Sequence, residues 1–213
     1  MGFNSTNVTS YINKFFDDPS HFKKSEQLLR DISEVANLAA ISRVPFMLWL
    51  LCNIYLDFGD VERPETMTAI FALGLLHLTR RHKIIQCDDN ENSLGDLSKA
   101  LLDALVNLGL MSTTMLEEGK IVFSFDEMVD LVYFVNNGII VLCFIKGEKV
   151  YYFRHLSLQE FFSAVYIKCQ GLAIERFAEN SHFKGVLHLV AGLEGAAMTS
   201  SNAPRYLKRF VKC

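Results

Sequence analysis

The sequence predicts a mainly α-helical protein: a small helical bundle, a winged-helix domain whose wing is a β-hairpin, and the start of a second helical domain. Three observations lead to this fold class. Apolar residues recur at helical spacing through most of the 213 residues, which indicates amphipathic helices. One stretch, residues 139–153, changes to the β-branched and aromatic composition of strands. Half of the residues are hydrophobic, which is enough to form cores and excludes a disordered chain.

The first 59 residues are predicted to form the small helical bundle. The first helix ends at residues 17–20, where Ser20 is expected to cap a second helix that runs through Ala39. Each of the two helices carries its apolar side chains on one face. These faces consist of Val8, Tyr11, Ile12, Phe15 and Phe16 in the first helix, and of Leu28, Leu29, Ile32, Val35, Ala36 and Ala39 in the second.

A third helix is predicted to begin at Pro45, because the fixed φ of proline suits the first helical turn. The helix is apolar on nearly every side over Val44–Leu56, so it is expected in the middle of the bundle. This run is too short to cross a bilayer. The linker at residues 58–64, which contains Gly and Pro, then marks a domain boundary.

Residues 60–163 are predicted to form the winged-helix domain. Three helices come first, with a polar loop at residues 86–93 between the first two. A hairpin follows, with strands at residues 139–145 and 150–153 and a Gly-containing turn at 146–149. Three helices followed by a hairpin is the order of a winged-helix domain. The expected ranges of the helices are Met67–His82, Leu97–Leu108 and Asp126–Val135.

Helical spacing returns after Ser157 and continues into a C-terminal tail. The apolar residues of the tail include Leu187, Val190 and Leu193. The tail is predicted to be the start of a second helical domain. The predicted domains are therefore residues 1–59, 60–163 and 164–213.

The charge distribution argues against DNA binding, the first function that a winged helix suggests. The chain carries a formal charge of −3. Between Ala100 and Ile145, where the groove-reading helix would lie, one basic residue, Lys120, stands against six acidic ones. A helix in the major groove needs Arg or Lys for phosphates and base edges, so DNA would repel this one. A DNA-binding regulator stays an alternative that a steep salt dependence of DNA affinity would support.

The sequence contains no phosphate-binding loop, nucleophile elbow or metalloprotease motif. The six His residues show no metal-ligand spacing, and the five Cys residues are too widely spaced for a disulfide framework or a zinc site. Free thiols of this kind fit a reducing compartment, so a cytoplasmic location is expected. The chain is expected to be neither an enzyme nor a metal-binding protein.

Residues 153–164, FRHLSLQEFFSA, join the second strand to the next helix. Ser157 is expected to cap this helix, with Gln159 or Glu160 reaching back toward its free amides. The stretch resembles the winged-helix signature of NLR proteins, innate immune receptors with a NACHT-type ATPase. The resemblance implies that His155 contacts the β-phosphate of bound ADP. A hydrogen-bonded structural histidine is the alternative.

Residues 42–52, SRVPFMLWLLC, are similar to the first helical domain of the same family. The resemblance implies that Pro45 packs against the adenine base. It also implies that Trp49, one turn later on the same helix face, borders the nucleotide. A helix-start proline and a core tryptophan are the alternative. Looser matches at residues 2–16 and 189–193 extend the resemblance over almost the whole chain.

The resemblance implies a regulatory fragment of an NLR-like intracellular receptor. Such a fragment would couple the ADP or ATP state of an upstream NACHT ATPase core to autoinhibition and oligomerisation. The phosphate-binding loop and the acidic magnesium site are expected upstream, so ADP or ATP binding would need that missing half of the site. The expected partners are this core, in the same polypeptide, and other NLR-type subunits, with neither DNA nor a membrane span. The alternative is a winged-helix protein–protein adaptor without a nucleotide role.

Overall fold

The structure of the chain is a computed structural model that describes residues 2–57, 63–81, 99–124, 131–136 and 138–198. Helices dominate these ranges, and β-strands form an antiparallel hairpin. The predicted fold class, mainly α with a β-hairpin, is confirmed. The chain divides into two compact units, Met1–His77 and Leu78–Cys213, each with its own buried apolar side chains. The domain boundaries expected after residues 59 and 163 stay predictions.

In the described part of the first unit, four helices precede the start of a fifth. They are α1 (Ser5–Phe15), α2 (Phe22–Glu34), α3 (Ala36–Ile41), α4 (Pro45–Asp57) and α5 (Met67–Arg81). α1 begins where the Asn4 side chain accepts a hydrogen bond of 2.8 Å from the amide of Asn7. Val8, Ile12 and Phe16 are buried, as its predicted apolar face requires.

Two predictions about the second helix are wrong. Ser20 does not cap it. Instead, the Asp18 carboxylate accepts a hydrogen bond of 2.8 Å from the amide of Ser20 and caps a 3-10 turn at Pro19–His21. A charged carboxylate is a stronger acceptor than a serine hydroxyl. The helix is also not continuous, since Val35 adopts an extended backbone between α2 and α3, with φ −112° and ψ 109°. A β-branched residue such as valine favours that conformation.

α4 begins at Pro45, as predicted, and most of its side chains are buried. Asn53 is tolerated in its core because the side-chain amide donates a hydrogen bond of 2.7 Å to the carbonyl of Trp49. Burial raises the pKa of Cys52 to about 12, so this thiol stays protonated at neutral pH. The buried residues of α4 are Met47, Leu48, Leu50, Leu51, Cys52, Asn53, Ile54 and Tyr55.

The second unit is centred on two helices, α6 (Lys99–Glu117) and α8 (Leu156–Cys169), which pack along each other. Part of the predicted organisation lies outside the described residues: the loop at 86–93, the start of the helix at 126–135 and most of the linker at 58–64. The other described elements are α7 (Leu131–Asn136), β1 (Ile140–Ile145), β2 (Glu148–Phe153), α9 (Lys184–Met198) and 3-10 turns at Ile174–Phe177 and Ser181–Phe183.

Small residues bring α6 and α8 into close contact. An ideal Cβ on Gly109 would lie 2.6 Å from the Cβ of Tyr166 and 2.7 Å from the carbonyl oxygen of Phe162. One turn further on, the buried hydroxyls of Thr113 and Ser163 share a hydrogen bond of 2.8 Å. This contact outweighs the weak helix propensity of glycine. α6 therefore runs to Glu117 instead of ending at Leu108 as predicted.

β1 and β2 form the predicted hairpin, but its turn is shorter than expected. The turn contains only Lys146 and Gly147, with φ values of 52° and 87°. Positive φ at both central residues matches the twist of the flanking strands, so residues 148 and 149 belong to β2. At the other edge of β2, Phe123 and Tyr151 exchange two backbone hydrogen bonds of 2.9 Å.

Candidate functional site

The junction between β2 and α8 is fixed at both ends. The ring of Phe153, the last residue of β2, lies 6.0 Å from the ring of Phe162 in α8. The backbone amide of Arg154 donates a hydrogen bond of 2.9 Å to the carbonyl of Ile139, next to β1. His155 follows immediately, so packing and backbone hydrogen bonds determine its position.

His155 itself is the N-cap of α8. Its backbone is extended, with φ −147° and ψ 140°, and α8 begins at Leu156. The imidazole Nδ1 accepts a hydrogen bond of 3.2 Å from the amide of Ser157. The prediction that Ser157 caps this helix is therefore wrong: Ser157 is the second helical residue and supplies the donor.

This hydrogen bond determines the tautomer of the neutral His155 ring. Because Nδ1 accepts, the proton of the neutral imidazole lies on Nε2. Burial also lowers the pKa of His155 below its ordinary value, which favours the neutral form. The neutral imidazole of this half-buried side chain thus carries a single N–H, and it lies at the positively polarised end of α8. This arrangement suits a hydrogen bond to an anionic oxygen.

The two residues expected to reach back toward the start of α8 do not contact its free amides. Gln159 is buried, and its side-chain amide donates a hydrogen bond of 3.4 Å to the carbonyl of Lys120. Glu160 is half-buried, and its carboxylate accepts a hydrogen bond from the side chain of Ser157. Because His155 already occupies the cap, these side chains make contacts elsewhere in the unit.

Acidification is expected to destabilise the second unit through His155. Its pKa is lower in the folded chain than in the unfolded one, so the unfolded chain binds the proton first as the pH falls below about 6.5. The stabilising contribution of His155 is thus complete above that pH and lost as the pH falls through the folded-state pKa. Glu160 has the opposite effect: burial raises its pKa, so the folded chain binds this proton more readily and acidification stabilises the unit through Glu160.

A variant that keeps the cap isolates the effect of His155. Asparagine is a good N-cap but does not titrate, so His155→Asn is the matched comparison. The free energy of unfolding is measured from about pH 7.5 to 5, and the wild type is expected to lose more of it than the variant. Parallel curves for the two proteins would contradict the prediction.

Pro45 and Trp49 lie one turn apart on α4 in the first unit, whereas His155 lies in the second. Pro45 is exposed and Trp49 is half-buried. The Trp49 ring stacks on Phe46, with centroids 5.8 Å apart and planes 28° from parallel. The first turns of α4 therefore carry a partly exposed apolar surface. The nucleotide contacts expected of Pro45, Trp49 and His155 stay predictions.

Sequence reasoning missed two contacts near these residues. Phe46 is three residues before Trp49, a spacing that places two rings side by side on a helix, so this contact was predictable. The contact between Glu160 and Gly185 of α9 joins residues far apart in the sequence, and no local pattern indicates it.

The ranges that the structure describes contain no group of three His, Cys, Asp or Glu side chains that could hold a metal ion. Across the same ranges, no helix has the length and hydropathy required to cross a membrane.

Comparison with curated proteins identifies relatives over most of the chain, although no protein-family model matches it. The NACHT, LRR and PYD domains-containing protein 1 homolog of Danio rerio is 28% identical over 170 residues, which cover 78% of this chain and 11% of that protein. The mouse NACHT, LRR and PYD domains-containing protein 12 is 26% identical over 91% of the chain and 19% of its own length.

A third relative is the human nucleotide-binding oligomerization domain-containing protein 1. It is 23% identical over 78% of this chain and 19% of its own length. The chain thus spans between 11% and 19% of the length of these relatives. The predicted resemblance is confirmed: over most of its length, this chain is similar to NLR proteins.

Proposed function

We propose that this chain is the regulatory region of an NLR-like receptor, which couples the ADP or ATP state of an upstream NACHT ATPase core to autoinhibition and oligomerisation. The observation that carries the proposal is the state of His155. The Ser157 amide holds its imidazole, so the neutral ring has its proton on Nε2, at the start of α8. Such a group donates to a phosphate oxygen without becoming charged, and the helix terminus adds a favourable field for the anion.

The names of the relatives support the same function. The human relative is named for nucleotide binding and oligomerisation, and the other two for NACHT domains. The chain covers at most 19% of any of the three, so the proposed ATPase core would lie elsewhere in the polypeptide. In this proposal the chain itself is not catalytic, and the receptor acts in the cytoplasm.

In the proposed resting state, ADP bound to the core contacts His155 through its β-phosphate, while Pro45 and Trp49 border the adenine base. Loss of the His155 contact on exchange for ATP would favour the state in which the second unit leaves the core and surfaces for oligomerisation become available. ADP can shift this equilibrium only because it binds the two states with different affinity.

We propose a winged-helix domain as the fold of this regulatory part. The described hairpin, the helices before it and the pairing of Phe123 with Tyr151 support that assignment. A DNA-binding role receives no support from charge, because α7, the helix immediately before the hairpin, contains no charged residue in its described span Leu131–Asn136.

The test is the nucleotide content of the longest natural polypeptide that contains this chain. The protein is purified and denatured, and the released nucleotide is identified and quantified. We expect near-stoichiometric ADP in the wild type and about ten- to hundred-fold weaker ADP binding in His155→Asn, because a hydrogen bond to a charged group is lost. His155→Asn keeps the helix cap, so unfolding does not explain such a loss.

The matched control is His188→Asn, at an exposed position on α9, which should retain ADP as the wild type does. Equal ADP retention in His155→Asn and in the wild type would assign His155 a structural role only and contradict the proposal.

A protein–protein adaptor is the second candidate, and the tip of the hairpin favours it. Leu142, Phe144 and Ile145 of β1 are 40%, 64% and 46% exposed, and apolar surface of this kind marks interaction sites. Absence of nucleotide from the wild-type polypeptide would support this adaptor reading instead.

A further inference from the structure

The carboxylate of Glu160 lies directly against the second residue of α9. An ideal Cβ on Gly185 would be 2.7 Å from Oε2 of Glu160 and nearer still to Oε1. The carboxylate therefore occupies the space that any side chain at position 185 would need. Glycine at this position is what allows Glu160 to approach the α9 backbone so closely.

The start of a helix is a favourable place for this carboxylate. The first amide groups of α9 have no acceptor within the helix, and the helix dipole makes that end positive. Further along the two helices, the Lys168 ammonium of α8 donates a hydrogen bond of 2.5 Å to the carboxylate of Glu194 in α9. Glu160 and Lys168 thus hold α9 along α8, and the two helices run in the same direction.

The contact with α9 is also connected to His155. The Ser157 amide donates to Nδ1 of His155 at 3.2 Å, and the Ser157 side chain donates to the carboxylate of Glu160. One residue therefore contacts both the proposed sensor of ADP and the side chain that rests on Gly185. All four residues belong to the second unit.

We infer that Glu160 is a positioning residue that transmits the nucleotide state from His155, through Ser157, to the start of α9. The inference rests on the proposed function, in which ADP contacts His155. When ADP binds, the imidazole is held in place, Ser157 keeps its hydrogen bond to Glu160, and the carboxylate stays on the first turn of α9. When ADP leaves, these contacts loosen together, and the beginning of α9 opens more often.

The contact itself is tested in the 213-residue chain by amide hydrogen exchange of the first turns of α9. Glu160→Ala should speed exchange there by about five-fold or more. Gly185→Ala should do the same by displacing the carboxylate, and combining the two substitutions should add little. The control is Glu179→Ala, which removes an exposed carboxylate of the same unit. Unchanged exchange in Glu160→Ala would overturn the inference.

Transmission is tested in the longest natural polypeptide that contains the chain, with and without ADP. In the wild type, ADP should slow exchange of the first turns of α9 by about five-fold or more. In Glu160→Ala, ADP should still bind but should change that exchange by less than about two-fold. A merely structural role for Glu160 would change exchange equally in both conditions.

The two proposals fail in different ways. If the wild type binds no ADP, the proposed function is overturned, and the nucleotide part of the inference with it. If Glu160→Ala binds ADP and α9 still responds as in the wild type, the inference alone is overturned.

Discussion

Gly109→Ala is expected to lower the free energy of unfolding of the second unit by about 1–3 kcal/mol, the usual cost of forcing extra atoms into a packed core. Helix propensity alone would make this substitution stabilising, since alanine is the better helix former by about 1 kcal/mol. Packing wins because the new methyl group would meet the carbonyl oxygen of Phe162 at 2.7 Å. That oxygen belongs to the backbone of α8 and cannot rotate away.

The two helices would have to separate, and their separation would weaken the buried hydrogen bond of 2.8 Å between Thr113 and Ser163. The contrast with Gly185 is instructive. There the obstacle is the end of the flexible Glu160 side chain, which can move aside at a smaller cost.

The same substitution at Gly195 of α9 is the matched control. An ideal Cβ there meets no atom within 4 Å, so Gly195→Ala is expected to stabilise the unit by about 0.5–1 kcal/mol through helix propensity. Urea unfolding followed by circular dichroism, with hydrogen exchange of α8 to assign the transition to the second unit, measures both changes. A stabilising Gly109→Ala would show that α6 and α8 are not packed as closely as described.

The elements that could be predicted are those whose cause lies in a few neighbouring residues. Pro45 begins α4 because of its own fixed φ, and the hairpin forms because strand composition surrounds a turn that contains Gly147. The end of α6 has a different kind of cause. The residue after Leu108 is a glycine, and only its partners Phe162 and Tyr166 in α8 explain why the helix continues.

The candidate site shows the same division. Residues 153–164 could be recognised as the informative segment, but the residue that caps α8 was predicted wrongly. Serine is the better cap in isolated helices. Here the packing of Phe153 against Phe162 sets the point where the strand ends, and this places His155 at the cap instead of Ser157. The partner of Glu160 on α9 depends entirely on tertiary packing, so no sequence pattern predicts it.

Asp31→Ala is expected to lower the free energy of unfolding of the first unit by about 2–3 kcal/mol, the range for hydrogen bonds to a buried charged group. Asp31 is buried on α2 and accepts a hydrogen bond of 2.5 Å from the hydroxyl of Tyr55 on α4. Burial, and then the neighbouring carboxylate, raise the pKa of Tyr55, so this hydroxyl remains a donor. Without the Asp31 carboxylate, the buried hydroxyl of Tyr55 would lose its hydrogen-bond acceptor.

The network extends to the end of the predicted linker. Arg63 contacts Asp31 at 3.3 Å and Glu34 at 3.1 Å, both on α2. Glu34 is largely exposed, and such surface pairs contribute little. Glu34→Ala is therefore the matched control, and it should leave the unfolding midpoint almost unchanged although it also removes a partner of Arg63.

Trp49, the only tryptophan of the chain, lies in the first unit, so its fluorescence during urea unfolding reports on that unit alone. A double-mutant cycle with Tyr55→Phe separates the two partners of Asp31. If the hydroxyl contact dominates, adding Tyr55→Phe to Asp31→Ala should lower the free energy of unfolding only slightly further. If Asp31→Ala lowers the free energy of unfolding as little as Glu34→Ala does, water must satisfy the Tyr55 hydroxyl. The contact between α2 and α4 would then be stabilised by apolar packing rather than by this network.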